Sequence, residues 1–495
     1  MNASTWISRS VSRLRAPASA KDAKDAKAAQ PAVDSAAANK AAKPELPPRS
    51  LSERLDATLR RHGEAMAPRA LRRALTDLQA VVDGRVSEVE AGRRACAVMH
   101  WYATLDAAER RDVWLLISER FAPDGKKLSS ARARHEAAVG TADEGQAEVH
   151  LRRALASPRA RLLQRFTIDP EGMRFLLDLR AELLPQVKGE RRFVPLDAEL
   201  EHLFSTWFDV AFLDLRRISW DSPASLIEKL IQYEAVHDIK SWADVKNRLD
   251  SDRRCYGFFH PRLPDVPLIF VEVALVDHIS DGIVPLLDEA AALATADKAT
   301  TAIFYSISNT QTGLRGVSFG DSLIKRVVET LQAEFPKLKV FATLSPIPGF
   351  RHWLGKHAAE VLLRLDDKRA AELGRALGSL PPTPDRLLAA ADEALALEPK
   401  SPVRQVLMQC AAEYLGRATI EGKPIDPVAR FHLGNGARVE RLNWAGDPSP
   451  KGVKQSYGLM VNYLYDLKRL DKHRALLAQG KVAVSGDVDG LFLKG

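Results

Sequence analysis

The apolar periodicity of this chain changes once, near Cys255, and that change limits what it can fold into more than any other feature. Upstream, apolar residues recur at helical spacing: Leu51, Leu55 and Leu59 repeat at i+4, and Leu71, Leu75, Leu78 and Val82 mark one face of a second helix. Residues 105–116 and 171–184 follow the same pattern, the latter closed by Pro185. No strand is expected before about residue 250. Downstream lie three β-prone runs, 268–276, 300–308 and 338–344. A helix is predicted from about Asp321, with Leu323, Ile324, Val327, Val328 and Leu331 on its buried stripe. Strand, glycine-bearing loop, helix, strand is a βαβ unit, which implies parallel neighbours. Asn435-Gly436 then marks a turn, and residues 459–465 could form a closing strand.

A chain of 495 residues that is 46% hydrophobic and 27% charged is long and apolar enough for more than one globular domain. Its 72 basic and 64 acidic residues leave a charge of +8, without a Lys/Arg block interleaved with aromatics, so no nucleic-acid partner is expected. The three cysteines, Cys96, Cys255 and Cys410, form no C-x-x-C pair, which argues against a disulfide framework and a zinc knuckle and favours a reducing compartment. No apolar run is long enough to span a membrane. Residues 1–48, rich in Ala, Lys, Asp and Pro, are expected to be a disordered tail. Cytoplasmic placement is the default. Arg9, Arg13 and Arg15 among Trp6, Ile7, Val11 and Leu14 leave a mitochondrial transit peptide as the alternative. The division expected is the tail at 1–48, a helical region at 49–205 that packs and assembles without supplying chemistry, and a sheet-bearing region at 206–495.

Three segments could carry chemistry. In the first, Gly313, Arg315, Gly316, Val317, Ser318, Phe319, Gly320 and Asp321 form a loop that enters a helix from a strand end. Unpaired N–H groups at a helix start, approached over glycines, suit a pyrophosphate. The spacing matches neither G-x-x-x-x-G-K-S/T nor G-x-G-x-x-G, so a tight turn and a phosphate cradle both stay open. In the second, Ser345 precedes Pro346, Pro348 and Gly349 at a strand's carboxyl end, where α/β sheets place site residues; a plain turn residue is the other reading. In the third, His432 lies among apolar residues beside Asn435-Gly436, either as a packed group or as an acid or base. None of the twelve histidines makes H-x-x-x-H or H-E-x-x-H, which disfavours zinc or iron.

Read together, these segments resemble the malonyl-CoA decarboxylase family. The likeness rests on Arg254-Cys255-Tyr256, residues 301–308, 323–328 and 344–350, Phe431-His432-Leu433, Asn435-Gly436-Ala437, Asn443-Trp444, Gly458-Leu459-Met460 and Asn462-Tyr463. It is strong from about 210 to 466 and looser over the helical region. The resemblance implies a two-domain α+β protein: an N-terminal all-α helical bundle, then a GCN5-related N-acetyltransferase-like α/β domain with a mixed sheet. It makes 49–205 an oligomerisation domain and 206–495 a catalytic acyl-CoA domain. It places the catalytic pair on Ser345 and His432, supporting hydroxyls on Ser306 and Tyr465, and the acyl-CoA loop on Arg315 to Asp321. The chain departs from the pattern at Arg315, where relatives often carry Gln, and at Asp321, where Thr is common.

The implied reaction converts malonyl-CoA to acetyl-CoA and carbon dioxide. The thioester carbonyl accepts the electron pair as an enolate, so neither metal nor cofactor is expected. Ser345 would orient the carboxylate or hold the oxyanion, and His432, whose ordinary pKa lies near neutrality, would return a proton to C2. A homo-oligomer, dimer or tetramer, is implied through the helical domain. An acetyl-CoA-dependent N-acyltransferase of the same fold and a non-catalytic malonyl-CoA-binding scaffold are the other two readings. The C-terminal Phe492-Leu493-Lys494-Gly495 is not a Ser-Lys-Leu address.

Overall fold

Small polar residues start the helices of the first region. Ser87 and Asp124 each accept backbone N–H bonds from the first turn they precede, and Asp106 forms a capping box with Glu109. A computed structural model describes residues 65–317, 319 and 323–492. The expected tail and the 51–59 leucine stripe lie outside the described residues. Among the described residues, eight helices precede the sheet: α1 Pro68–Val82, α2 Glu88–Ala103, α3 Ala107–Arg120, α4 Gly125–Ala138, α5 Glu144–Leu155, α6 Pro158–Phe166, α7 Gly172–Val187 and α8 Val194–Trp207. Leu71, Leu75, Leu78 and Val81 form the buried face of α1. Helix α7 continues through Pro185 instead of closing before it. The proline forfeits the bond to the Ala181 carbonyl in the last turn, and the helix ends two residues later.

The expectation of no strand before residue 250 fails at β1, Asp214–Ile218. Its sequence, Asp-Leu-Arg-Arg-Ile, lacks apolar alternation because it is an edge strand with mostly exposed side chains, paired on one side to β2. The remaining strands are β2 Arg253–His260, β3 Leu263–Val276, β4 Thr301–Asn309, β5 Val340–Thr343, β6 Ser345–Pro346, β9 Arg438–Asn443 and β10 Met460–Leu464, with β7 Thr419–Ile420 and β8 Lys423–Pro424 forming a separate two-stranded ladder. The main sheet has the order β1-β2-β3-β4-β5-β10-β6, with β9 also on β10. It is mixed. The β4–β5 pair is parallel and its partners in this sheet are antiparallel. The helix Leu323–Glu334 makes the crossover between β4 and β5, as the βαβ reading requires.

One face of the sheet buries Ala274, Ile303, Tyr305, Ala342, Leu344 and Met460 against Ile283 and Leu286. A second cluster joins Ile218, Cys255 and Phe270 to Ile227, Leu230 and Val245. Each large side chain so buried contributes about 1.5–3 kcal/mol relative to exposure.

Pairing between β4 and β5 ends at Phe304 and Thr343, where the Leu344 N–H donates to the Phe304 carbonyl at 3.0 Å. Beyond it the chain leaves β4, and Ser345 and Pro346 pair with Val461 and Met460 of β10. The parallel pair therefore parts where Ser345 stands. The described residues form one compact unit.

Candidate active site

Three of the side chains singled out in the sequence meet at this parting. Ser345 is 5% exposed and His432 3%. The Ser345 hydroxyl donates to Thr343 Oγ1 at 2.8 Å, and its oxygen lies 3.3 Å from His432 Nε2. His432 Nδ1 lies 2.7 Å from the Tyr465 hydroxyl. The chain of bonds is consistent when Tyr465 donates to Nδ1, Nε2–H donates to Ser345, and Ser345 donates to Thr343. Thr343 Oγ1 also accepts the Tyr463 backbone N–H at 3.1 Å, so it is held from two sides. The Tyr463 ring stacks on the imidazole, centroids 4.7 Å apart. Burial holds the His432 pKa at about 3, well below the neutral range expected from the residue type. The imidazole is thus uncharged at physiological pH. Burial likewise pushes the Tyr465 hydroxyl above its ordinary value, so both partners stay neutral.

Two segments far apart in sequence are tied together by Asp426, which is fully buried. It caps the helix Pro427–Gly434, accepting from the Val428 and Ala429 N–H groups at 2.9 and 3.0 Å, and His432 stands in the last turn of that helix. The same carboxylate accepts the Gly349 N–H at 3.4 Å and the Tyr414 hydroxyl at 3.2 Å. Gly349 closes the Ser345 loop, and a Cβ there would come within 2.2 Å of the Tyr414 hydroxyl. One acid therefore sets the distance between the serine segment and the histidine helix.

The glycine loop is anchored by residues from the helical region. Arg180 on α7, 1% exposed, donates through Nη1 to the Gly313 and Arg315 carbonyls at 2.7 and 3.1 Å, while its Nε is paired with Asp197 at 2.8 Å. Gly313 lies so close to α7 that a Cβ would fall 2.2 Å from the Leu177 carbonyl oxygen. Arg174 donates to Gln311 at 2.8 Å, and the Phe319 carbonyl accepts the Val210 N–H at 2.9 Å. Gly316 has φ +82°, a left-handed conformation that favours glycine. Arg315 is exposed and Val317 buried. Ser318, Gly320 and Asp321 lie outside the described residues. The helical region, expected to supply nothing to the site, therefore holds the loop in place.

Comparison with known proteins matches this architecture along both regions. The malonyl-CoA decarboxylase C-terminal domain model covers residues 211–495, and the corresponding N-terminal domain model covers 121–208. The chain belongs to the malonyl-CoA decarboxylase family. It is 35% identical over 400 residues to malonyl-CoA decarboxylase, mitochondrial, of Anser anser anser, covering 76% of this chain and 79% of that one. The Rattus norvegicus protein of the same name is 36% identical over 400 residues, 76% of this chain and 80% of its own. Among solved structures, malonyl-CoA decarboxylase from Cupriavidus metallidurans is 44% identical with a TM-score of 0.72, covering 86% of this chain and 100% of that one. The Rhodopseudomonas palustris enzyme gives 38% and 0.73, covering 85% and 99%.

Of the residues that the family resemblance singles out, the fold brings Ser345, His432 and Tyr465 into one hydrogen-bonded set. It does not bring Ser306 into that set. The Ser306 hydroxyl donates to both oxygens of Glu234, at 2.9 and 2.8 Å, and lies 3.2 Å from Ser308. Thr343, Asp426 and Arg180 went unnoticed in the sequence. A threonine two residues before Ser345 on a strand shares its face and could have been noticed. Asp426 before Pro427 is a capping signal, whereas nothing local marks Arg180.

Proposed function

We propose that this member of the decarboxylase family releases carbon dioxide from malonyl-CoA at the Ser345–His432–Tyr465 set, leaving acetyl-CoA. The observation that carries the reading is the line of buried, uncharged hydrogen-bonding groups placed where β4 and β5 part. Breaking the C2–carboxylate bond sends its electron pair into the thioester carbonyl, whose oxygen becomes negative and needs donors. With substrate bound, the Ser345 hydroxyl turns its single hydrogen from Thr343 Oγ1 to the substrate, where it orients the leaving carboxylate or holds that oxygen. A dry site suits the loss of the carboxylate as neutral carbon dioxide. The enolate carbon then takes a proton, which we assign to His432 Nε2–H: as that N–H breaks, the Tyr465 hydroxyl proton passes to Nδ1, and the negative charge left on the Tyr465 oxygen is discharged by a proton from solvent. Because the imidazole is neutral, the donor is its N–H supported at Nδ1 by Tyr465, and not an imidazolium formed near pH 7.

The loop from Arg315 to Asp321 is proposed to hold the CoA phosphates, with Arg315 as its exposed cation. Incubation with malonyl-CoA alone, followed by mass spectrometry, tests the assignment: acetyl-CoA and carbon dioxide are expected. Strict dependence on an amine acceptor would establish the N-acyltransferase instead, and binding without turnover the scaffold. Homo-oligomerisation through 49–205 is checked by light scattering. The relatives named mitochondrial lend support to a transit role for the first residues, which a fluorescent fusion of residues 1–48 decides.

A further inference from the structure

Met460 and Leu464 of β10 pack into the apolar cluster of the sheet, and between them stands Asn462, fully buried. A buried amide in such a place needs partners at both ends, and this one has them. Nδ2 donates to the Thr343 carbonyl at 2.7 Å and to the Ser280 carbonyl at 3.0 Å. Oδ1 accepts from Asn443 Nδ2 at 2.9 Å and from Arg441 Nε at 3.2 Å. Reversing the amide would set its oxygen against two carbonyl oxygens, so the contacts fix which end is which.

The bond to Thr343 stands at a gap in the ladder. In one antiparallel register β10 pairs Leu464 with Ala342 of β5 and Val461 with Ser345 of β6, yet the pairs between them, Tyr463 with Thr343 and Asn462 with Leu344, are missing. The Tyr465 N–H donates to the Phe341 carbonyl at 2.8 Å, and in the same register the Tyr463 N–H would donate to the Thr343 carbonyl. It goes to Thr343 Oγ1 instead, at 3.1 Å, and Asn462 Nδ2 takes its place on the carbonyl. Thr343 Oγ1 thereby accepts two donors, the Tyr463 N–H and the Ser345 hydroxyl at 2.8 Å. Both lone pairs of that oxygen are used, which gives the serine a single resting place.

We propose that Asn462 is a positioning residue for Ser345: by holding the Thr343 carbonyl in place of a ladder N–H, it releases the Tyr463 N–H to Thr343 Oγ1 and fixes the acceptor on which the serine hydroxyl rests before substrate arrives. The inference rests on the decarboxylation reading above and extends it to a side chain that makes no hydrogen bond to Ser345 or His432. Without the amide the Thr343 carbonyl lacks its donor, and the replacement in register is the Tyr463 N–H. Taking it back closes the ladder, frees the Thr343 side chain and shifts the serine.

Carbon dioxide release from malonyl-CoA is measured for Asn462→Leu, Asn462→Asp, Thr343→Val and the double variant Asn462→Asp/Thr343→Val. Asn462→Leu removes the amide, whereas Asn462→Asp removes only the donor and keeps the shape, which leaves the test open if the leucine variant does not fold. Each single variant is expected to lower kcat by about 10–100-fold with KM within about threefold of wild type, the size of a small misplacement at a reacting group. The double variant should fall no further than Thr343→Val, because the amide acts through the threonine hydroxyl. A kcat within about threefold of wild type in the folded Asn462 variants, as a merely structural role predicts, overturns the proposal. So does a KM that rises as much as kcat falls, or a double loss equal to the product of the two single losses. A crystal structure of Asn462→Leu, or of Asn462→Asp in its place, separates this inference from the decarboxylation reading. The Tyr463 N–H is expected on the Thr343 carbonyl whatever reaction the chain performs, and finding it still on Oγ1 removes Asn462 from the role. Wild-type protein that releases no carbon dioxide overturns the decarboxylation reading, and the structure then decides the placement of Asn462 alone.

Discussion

At the scale of single residues, the proposed chemistry depends on keeping His432 neutral inside a hydrogen-bonded line. His432→Asn should keep acetyl-CoA affinity and lower kcat by ~10²–10⁴-fold, the range of a general-acid contribution. Ser345→Ala should lower kcat by ~10²–10³-fold through loss of one oxyanion-type donor. The double variant should fall little below the worse single one, because both groups act on the same transition state. Carbon dioxide release with binding measured separately checks all three; near-wild-type turnover in either single variant would place the chemistry elsewhere. The pH profile gives a second check. With its pKa held at about 3, His432 does not gain a proton in the free enzyme until the pH falls far below neutrality. The value of kcat/KM should therefore show no His432 limb between pH 5 and 8, and a limb centred near 6.5 would identify imidazolium as the acid.

At the scale of elements, the site is a junction of segments that are each ordinary alone. Asp426 joins the helix carrying His432 to the loop carrying Ser345 through Gly349 and Tyr414. Asp426→Ala removes a helix cap and leaves a buried hydroxyl unpaired, which should cost about 1–3 kcal/mol of stability. It should also lower kcat more than it raises KM, since the pair proposed to react loses its spacing while the loop proposed to hold acyl-CoA stays intact. Thermal melting and steady-state kinetics on one preparation separate the two effects. Arg180 plays the corresponding part for the loop. Arg180→Met should raise KM for malonyl-CoA by about tenfold through loss of the two carbonyl contacts, and Arg180→Lys should rescue it poorly, because an ammonium cannot serve Asp197 and both carbonyls in the same fork geometry. An unchanged KM in Arg180→Met would mean that the loop holds its shape without α7.

At the scale of the whole molecule, buried titratable groups set how stability varies with pH. Glu272 is fully buried on β3; burial first, and then the nearby Glu234, push its pKa up to about 8. Arg248, 3.0 Å away, opposes that shift without cancelling it. The folded state therefore keeps a proton that the unfolded chain loses near 4.5, so stability falls as pH rises from about 4.5 to 8. His432 acts in the other direction. Its lowered pKa makes the unfolded chain bind more protons between about 6.5 and 3, so stability falls as pH drops through that window. Glu272→Gln should flatten the alkaline side, and the difference in melting temperature between variant and wild type should grow in the variant's favour from pH 5 to 8. A constant difference would show that Glu272 is ionised throughout.

Sequence by itself determined the elements whose signals are local. The stripe Leu323, Ile324, Val327, Val328 and Leu331 yields the crossover helix, and the runs near 268, 300 and 338 yield β3, β4 and β5, because burial of a periodic apolar face needs no distant information. Strand β1 escaped because an exposed, charged edge strand is stabilised by its neighbour's backbone and not by its own side chains. Ser345, His432 and Tyr465 were singled out through the resemblance, but their spacing is a tertiary fact. The parting of β4 from β5 brings forward Ser345, Asp426 sets the histidine helix against it, and burial moves the imidazole pKa from neutrality to about 3. The same holds for Arg180, an arginine on an amphipathic helix like many others in the chain. Only packing decides that it is buried and faces the carbonyls of Gly313 and Arg315, more than 130 residues away in sequence, because burial and desolvation belong to the assembled fold and not to any window of residues.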